Sequence, residues 1–323
     1  KLAPWLVFFR LPNLPTAPGD AIAGSAIALA IAQPAVAPGP LALFTLFAAG
    51  VASFFLYLFG LADNDISGAE ADRIQAPKRP IPAGEITVAQ ARIARVICLA
   101  LAVATGAFAG LPSDWWAVAA VLVAAIVAYN RFKDRCRVFG LVAMGLCRGL
   151  SLVSGAAAMQ AFVPRAVVVA ESASALAPTA LWLAPVYVSA PVLLAALGWI
   201  ATIAAVTWLA ADEHVAEAPL TRLRFLPGLA VFIPMLALGA YPRNAWLLIV
   251  LCSLCAYGVW ALSVAPLGRP HTPQNRRRAV GGAIGGLLYL QAGYILAVPH
   301  VALVAVVVAL FLASSVIRKF FEA

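Results

Sequence analysis

Apolar residues in this chain fall in long unbroken runs, and the polar residues gather in short stretches between them. The runs cover 20–37, 41–62, 91–109, 115–129, 139–159, 185–211, 225–240, 245–264 and 280–297. A last run, 302–317, reads as a tenth span or as a helix lying against the bundle. Most approach the length a helix needs to cross a bilayer. They do not alternate with period 2, which argues against a β-barrel. Gly and Pro at "APGP", "GLPS" and "YPRN" supply tight turns between consecutive spans. The pattern predicts an all-α polytopic membrane protein, a bundle of nine or ten transmembrane helices. No polar stretch is long enough to build a separate soluble core, so residues 1–323 read as one domain.

Composition sharpens this picture. The 323 residues are 64% hydrophobic and only 11% charged, with a mean hydropathy of +0.97. The formal net charge of +9 is explained by topology and not by nucleic-acid binding, because Lys and Arg collect on the cytoplasmic side of membrane proteins. Of the 21 lysines and arginines other than Arg148, 19 fall on one side of the predicted spans. That side is expected to be cytoplasmic, in the cell (inner) membrane. Arg10 and several prolines break up the apolar residues at the N-terminus, which does not read as a cleavable signal peptide. Cys252 and Cys255 form a CxxC inside an apolar run and read as small helix residues, not a redox pair.

Two acid clusters break the apolar pattern, and the base count puts both on the cytoplasmic face. The first, "FGLADNDISGAEADRIQAPKRPIPAGEIT", follows the second span directly. Asn64, Asp65 and Asp72 are hard oxygen donors of the kind that hold Mg²⁺ through one or two carboxylates plus substrate phosphates. Asp65 and Asp72 are seven residues apart, two helical turns, and share a face if the helix continues. Lys78 and Arg79 follow, close enough to neutralise a diphosphate. The same acids also suit a hydrated loop in which they pair with Arg73, Lys78 and Arg79. The second cluster, Asp212, Glu213, His214 and Glu217, follows the sixth span. Glu213 and Glu217 share a helix face, and the cluster reads either as a second metal site or as a solvated helix end.

Two further features carry chemistry. Tyr129 and Lys133 lie at i and i+4 where the fourth span ends, placed to hold phosphate oxygens or to anchor the helix at the interface. Arg148 lies inside the fifth span among Gly145, Gly149, Ser151, Ser154 and Gly155. A guanidinium there is costly unless it faces an interior cavity or an acid, while the small residues favour close helix packing.

The stretch "NDISGAEADRIQAPKRPIPAGEIT" resembles the signature of the UbiA superfamily of membrane prenyltransferases. Asn64, Asp65 and Asp72 match its Asn-Asp-x-x-Asp-x-x-x-Asp pattern, and Arg79 to Gly84 match the Arg-Pro-rich tail. "YNRFK" resembles the family's Tyr-x-x-x-Lys, and the N-terminal "FFRLPNLPTAPGDAIAGSAIA" resembles the family as well. The resemblance implies a helical bundle around a central cavity, and transfer of a prenyl group from a polyprenyl diphosphate to a lipophilic or aromatic acceptor with Mg²⁺. By the same resemblance Asn64, Asp65 and Asp72, with Asp212, Glu213 and Glu217, hold metal. Asn64, Arg79, Tyr129 and Lys133 hold the diphosphate, and Asp65, Asp72 and Lys133 take part in catalysis; Arg148, by its own setting inside the fifth span, is a further catalytic candidate. The chain departs from the pattern at Gly68, where the family carries the middle Asp, and at Ala216, where it carries the second Asp of Asp-x-x-x-Asp. "MGLCRGLSLVSGA" and the last two spans resemble the EboC-like branch, which implies the alternative of binding or transporting a lipophilic metabolite.

Overall fold

The computed structural model describes residues 3–32, 38–163, 185–211, 220, 222–268 and 272–322. Its elements are helices joined by short turns, with no strand among the described residues. A short α1 (Ala3–Phe8) leads into α2 (Thr16–Ala32), α3 (Pro40–Ser67), a short α4 (Ala69–Gln75), α5 (Val88–Phe108), α6 (Ser113–Phe132) and α7 (Arg137–Ala158). Then come α8 (Ala190–Ala210), a 3₁₀ segment (Arg222–Ala240), α9 (Arg243–Val264), α10 (Pro273–Ile295) and α11 (Val301–Glu322).

Eight of these segments are long and apolar enough to cross a membrane. The expectation was nine or ten. α10 has the length but opens on Arg276, Arg277 and Arg278, and the apolar part of α11 is confined to Val301–Ile317. The predicted runs and the helices otherwise coincide, differing mainly at their ends. Helices extend into polar residues wherever the backbone can keep its bonds, so α3 runs on through Asn64 and Asp65 to Ser67.

The 3₁₀ segment has its own cause. Pro227 and Pro234 lie inside it, and Ala237 leaves helical geometry at φ −102°, ψ 19°. Each proline lacks an amide hydrogen and crowds the preceding turn, so a regular α-helix cannot run through.

α2 is the axis of the molecule. It packs against α3, α7 and α10, and α7 in turn packs against α6 and α8. Small residues make that centre possible. A Cβ added at Gly24 would overlap the carbonyl of Leu152, and one at Gly155 would overlap the carbonyl of Ala21. The α2 and α7 backbones therefore cross in direct contact, as small-residue interfaces allow. Leu152, Trp199, Met159 and Tyr294 fill the space around the crossing. α3, α5 and α6 form one flank, and the 3₁₀ segment, α9 and α10 form the other.

Candidate active site

The site begins where α3 leaves the apolar part of the bundle. The amide of Gly68 bonds to the carbonyl of Asn64, and that of Asp72 to the carbonyl of Gly68, each at 2.9 Å. The helical path therefore carries on from α3 into α4 with little break. Asp65 and Asp72 are both buried and stay two turns apart. The chain then turns through Pro80–Gly84, and Ile86 plugs against Phe8, Ala62 and Ala91. A capping box restarts the helix: Thr87 Oγ1 accepts from the Gln90 amide, and Gln90 Oε1 accepts from the Thr87 amide.

Every acid of the motif that is buried has a cation or amide partner. Arg79 Nη1 reaches Asp72 Oδ2 at 2.6 Å. Arg10 Nη2 reaches Asp65 Oδ1 at 3.0 Å. Arg95 Nη1 reaches Asp63 Oδ1 at 2.8 Å, and Asn130 Nδ2 donates to the other oxygen of Asp63 at 2.9 Å. Lys133 Nζ donates to Asn64 Oδ1 at 2.5 Å. The expected local pairing thus holds for Arg79 alone. Arg73 and Lys78 are exposed, and the other partners come from the N-terminal turn and from α5 and α6.

Lys133 and Tyr129 do share a face, with the ammonium 5.7 Å from the ring centre. Burial pushes the Lys133 pKa below its ordinary value, with Arg10 and Arg79 adding to the effect and Asp134 and Asp72 opposing it. Arg10, Arg79, Asp72 and Lys133 therefore share one electrostatic neighbourhood. Arg10 has φ 47° and ψ 53°, the only non-glycine positive φ among the described residues. That conformation turns its side chain from the end of α1 onto the acids. Sequence reasoning passed over Arg10, Arg95 and Asn130 as site residues. The signal for Arg10 was a single base stranded in an apolar, proline-broken stretch.

Beneath the acids opens a cavity with about 600 Å³ of atom-free space, counting its open mouth. Arg10, Asn64 and Tyr129 line it at the acid end, and Leu56, Leu122 and Ile126 line its walls. Arg148 lines it deeper in the bundle, with Ser53 and Ser151. Ser53 is eleven residues before Asn64 on α3, roughly 16 Å along the axis. Arg148 meets both conditions expected of an intramembrane guanidinium: it faces the cavity, and its Nε lies 2.6 Å from Asp20 Oδ2. It belongs to the inner end of the cavity and not to the acid mouth.

Asn64, Asp65 and Asp72 supply two carboxylates and a carboxamide at the rim, a donor set that fits Mg²⁺ when phosphate oxygens complete the coordination. No group of three or more His, Cys, Asp or Glu residues that could hold a metal occurs among the described residues. Asp212, Glu213, His214 and Glu217 lie outside the described residues.

A helical membrane bundle with an acid-and-base rim over an apolar cavity defines the class of protein. The sequence profile of the UbiA prenyltransferase family matches residues 21–280, and the chain belongs to that family. A digeranylgeranylglyceryl phosphate synthase of Methanothermobacter thermautotrophicus is 35% identical over 112 residues, which are 35% of this chain and 39% of that protein. The chain thus matches well under half the length of this curated relative. Two solved structures share the fold. One, from work on digeranylgeranylglyceryl phosphate synthase in membranes, has a TM-score of 0.53 at 17% identity over 93% of this chain and 99% of that one. The other, the apo structure of a UbiA homologue from Aeropyrum pernix K1, has a TM-score of 0.54 at 16% identity over 88% and 98%.

Proposed function

We propose that the protein is an intramembrane prenyltransferase that moves a prenyl group from a polyprenyl diphosphate to a lipophilic or aromatic acceptor. The observation that carries this reading is the rim: buried Asp65 and Asp72 beside Asn64, ringed by Arg10, Arg79 and Lys133, above an apolar cavity. The cations suit the diphosphate oxygens, and the cavity suits the prenyl chain. Asn64, Asp65 and Asp72 would hold Mg²⁺, with Asp212, Glu213 and Glu217 proposed for a second ion. Bound there, Mg²⁺ supplies charge that stabilises the departing diphosphate.

In the reaction the allylic C–O bond breaks and its electron pair leaves with the diphosphate. The acceptor forms the new bond to that carbon and loses a proton to an oxygen of the departing diphosphate. Arg79, Lys133 and Arg10 hold the leaving charge in place, and preorganised cations of this kind need not reorganise as the charge develops. Tyr129 orients the Lys133 side of the rim. The apolar walls keep water from the electron-poor carbon.

A second reading is a protein that binds or transports a lipophilic metabolite. It is favoured by Gly68 in place of an acid, and by the ion pairing of Asp63, Asp65 and Asp72. Release of diphosphate from geranylgeranyl and longer polyprenyl diphosphates, with and without Mg²⁺, separates the two. Mg²⁺-dependent release supports the transferase. No release from any donor, with lipophile binding intact, supports the carrier.

The rim is proposed to face the cytoplasm, in the cell membrane, because the bases gather on that side. Cysteines introduced at exposed Lys78 and Glu85 should resist an impermeant reagent in intact cells and react after permeabilisation. Labelling in intact cells would reverse the orientation.

A further inference from the structure

At the inner end of the cavity lies a buried polar network that the rim chemistry does not use. Arg148 Nε and Nη2 face the two carboxylate oxygens of Asp20 at 2.6 and 3.1 Å. Arg148 Nη2 also donates to the carbonyl of Thr16 at 2.9 Å. Trp199 Nε1 and Gln291 Nε2 donate to Asp20 Oδ1 at 2.9 and 2.6 Å. α2, α7, α8 and α10 each contribute one side chain, and α2 adds the Thr16 carbonyl. Asp20 and Gln291 are fully buried, and Arg148 is 8% exposed. That residual exposure is to the cavity, which Arg148 lines.

Next to it, the hydroxyls of Ser53 and Ser151 lie 2.6 Å apart. Two hydroxyls share one hydrogen bond between them, which leaves one O–H and several lone pairs for a third group. Arg148 Nη1 forms no hydrogen bond within the network. Tyr57 completes this end, its ring 5.7 Å from the Arg148 guanidinium carbon.

The charge balance decides what fits. Asp20 cancels Arg148 at bonding distance, so the inner end offers hydrogen bonds but no net charge. An anion brought there would be desolvated in a low-dielectric cavity with no counter-charge left to meet it, which is strongly unfavourable. A hydroxyl or carbonyl oxygen would gain the spare donors of Arg148 and the serine pair without that cost.

We propose that the inner end of the cavity is an acceptor-recognition site for a neutral lipophile bearing a hydroxyl or carbonyl oxygen, and that it discriminates against anionic acceptors. The proposal rests on the transferase reading of the rim and names the acceptor class for it. Arg148 acts here as a binding group at the inner end of the cavity, not as a group on the leaving charge.

The test uses the full chain purified in detergent, with calorimetric binding of three probes: hexadecanol, 4-nonylphenol and hexadecanesulfonate. At least one neutral probe, the aliphatic or the aromatic alcohol, should bind at least about tenfold more tightly than the sulfonate. Asp20→Asn leaves Arg148 without its counter-charge, so the sulfonate should overtake the neutral probes. Ser151→Ala should weaken the neutral probes several-fold. Equal binding of neutral and anionic probes would overturn the proposal. So would an unchanged preference in Asp20→Asn, or unchanged neutral binding in Ser151→Ala if Asp20→Asn fails to fold. Failure of the rim reading looks different: geranylgeranyl diphosphate would not bind, while the preference for neutral probes would persist.

Discussion

Arg10 donates from Nη2 to Asp65 Oδ1 at 3.0 Å, across 55 residues of chain. Asp65 is also one of the carboxylates proposed to hold Mg²⁺. Arg10 and Mg²⁺ should therefore compete for Asp65 when no diphosphate is present. Arg10→Gln should lower the Mg²⁺ concentration that gives half-maximal thermal stabilisation of the donor-free protein. A partly exposed ion pair of this kind contributes up to about 1 kcal/mol, so the expected shift is roughly fivefold. An unchanged Mg²⁺ midpoint would mean that the ion does not use Asp65.

The three buried acids of the motif should separate by role. Asp65→Ala or Asp72→Ala should cost roughly 3–4 kcal/mol of transition-state stabilisation, about a hundred- to a thousandfold in transfer rate, with little loss of fold. Asp63→Ala strips the partner from Arg95 and Asn130, which come from two other helices. Its main effect should be a lower melting temperature, since it unties α3 from α5 and α6. Exposed Glu85→Ala should leave both rate and stability near their starting values. Rate assays run beside thermal melts sort these outcomes, and equal rate losses at Asp65 and Glu85 would remove the rim from the chemistry.

Lys133 predicts a pH dependence with opposite signs for binding and for stability. Its pKa is lowered by burial and by Arg10 and Arg79. The proposed hold on diphosphate needs the ammonium form. Affinity should therefore fall with rising pH through the lowered pKa, at a pH where an ordinary lysine is still charged. The unfolded chain holds the Lys133 proton more tightly than the folded one, so this residue makes stability rise with pH over the window between the two pKa values. Lys133→Arg stays charged and should abolish the alkaline fall in binding. An alkaline limb that persists in Lys133→Arg belongs to another group.

Gly68 lies at φ −91°, ψ 0°, a backbone any residue adopts, and a Cβ there would sit 3.3 Å from the Asn64 carbonyl oxygen, which must give by a few tenths of an ångström, and 3.7 Å from Asp72 Oδ2. Gly68→Asp should fold, and it would place a third carboxylate beside Asp72. Without metal the like charges should lower the melting temperature. With Mg²⁺ and geranylgeranyl diphosphate the variant should bind more tightly than the unaltered chain. Stability and binding that both fall, with or without Mg²⁺, would show that residue 68 does not face the ion.

The order of the helices, their approximate ends and the family were legible in the sequence, because burial in a bilayer demands long apolar runs and the Asn64–Gly84 motif is local in the chain. The phase of Asp65 and Asp72 was legible too, since a helix that barely breaks at Gly68 keeps them two turns apart. The pairing of Tyr129 with Lys133 followed from the i, i+4 rule. Partners far apart in the chain were not legible. Nothing near Arg10 or Arg95 names an acid, and the three buried acids of the motif have three bases close by in sequence, which made local pairing the natural reading. Only packing brought Arg10 to Asp65, Arg95 to Asp63, and Arg148 to an aspartate 128 residues away. Local spacing determines which face a side chain occupies on its own helix. Which other helix that face meets is decided by the close crossings, such as Gly24 over Leu152 and Gly155 over Ala21, that set the whole bundle in register.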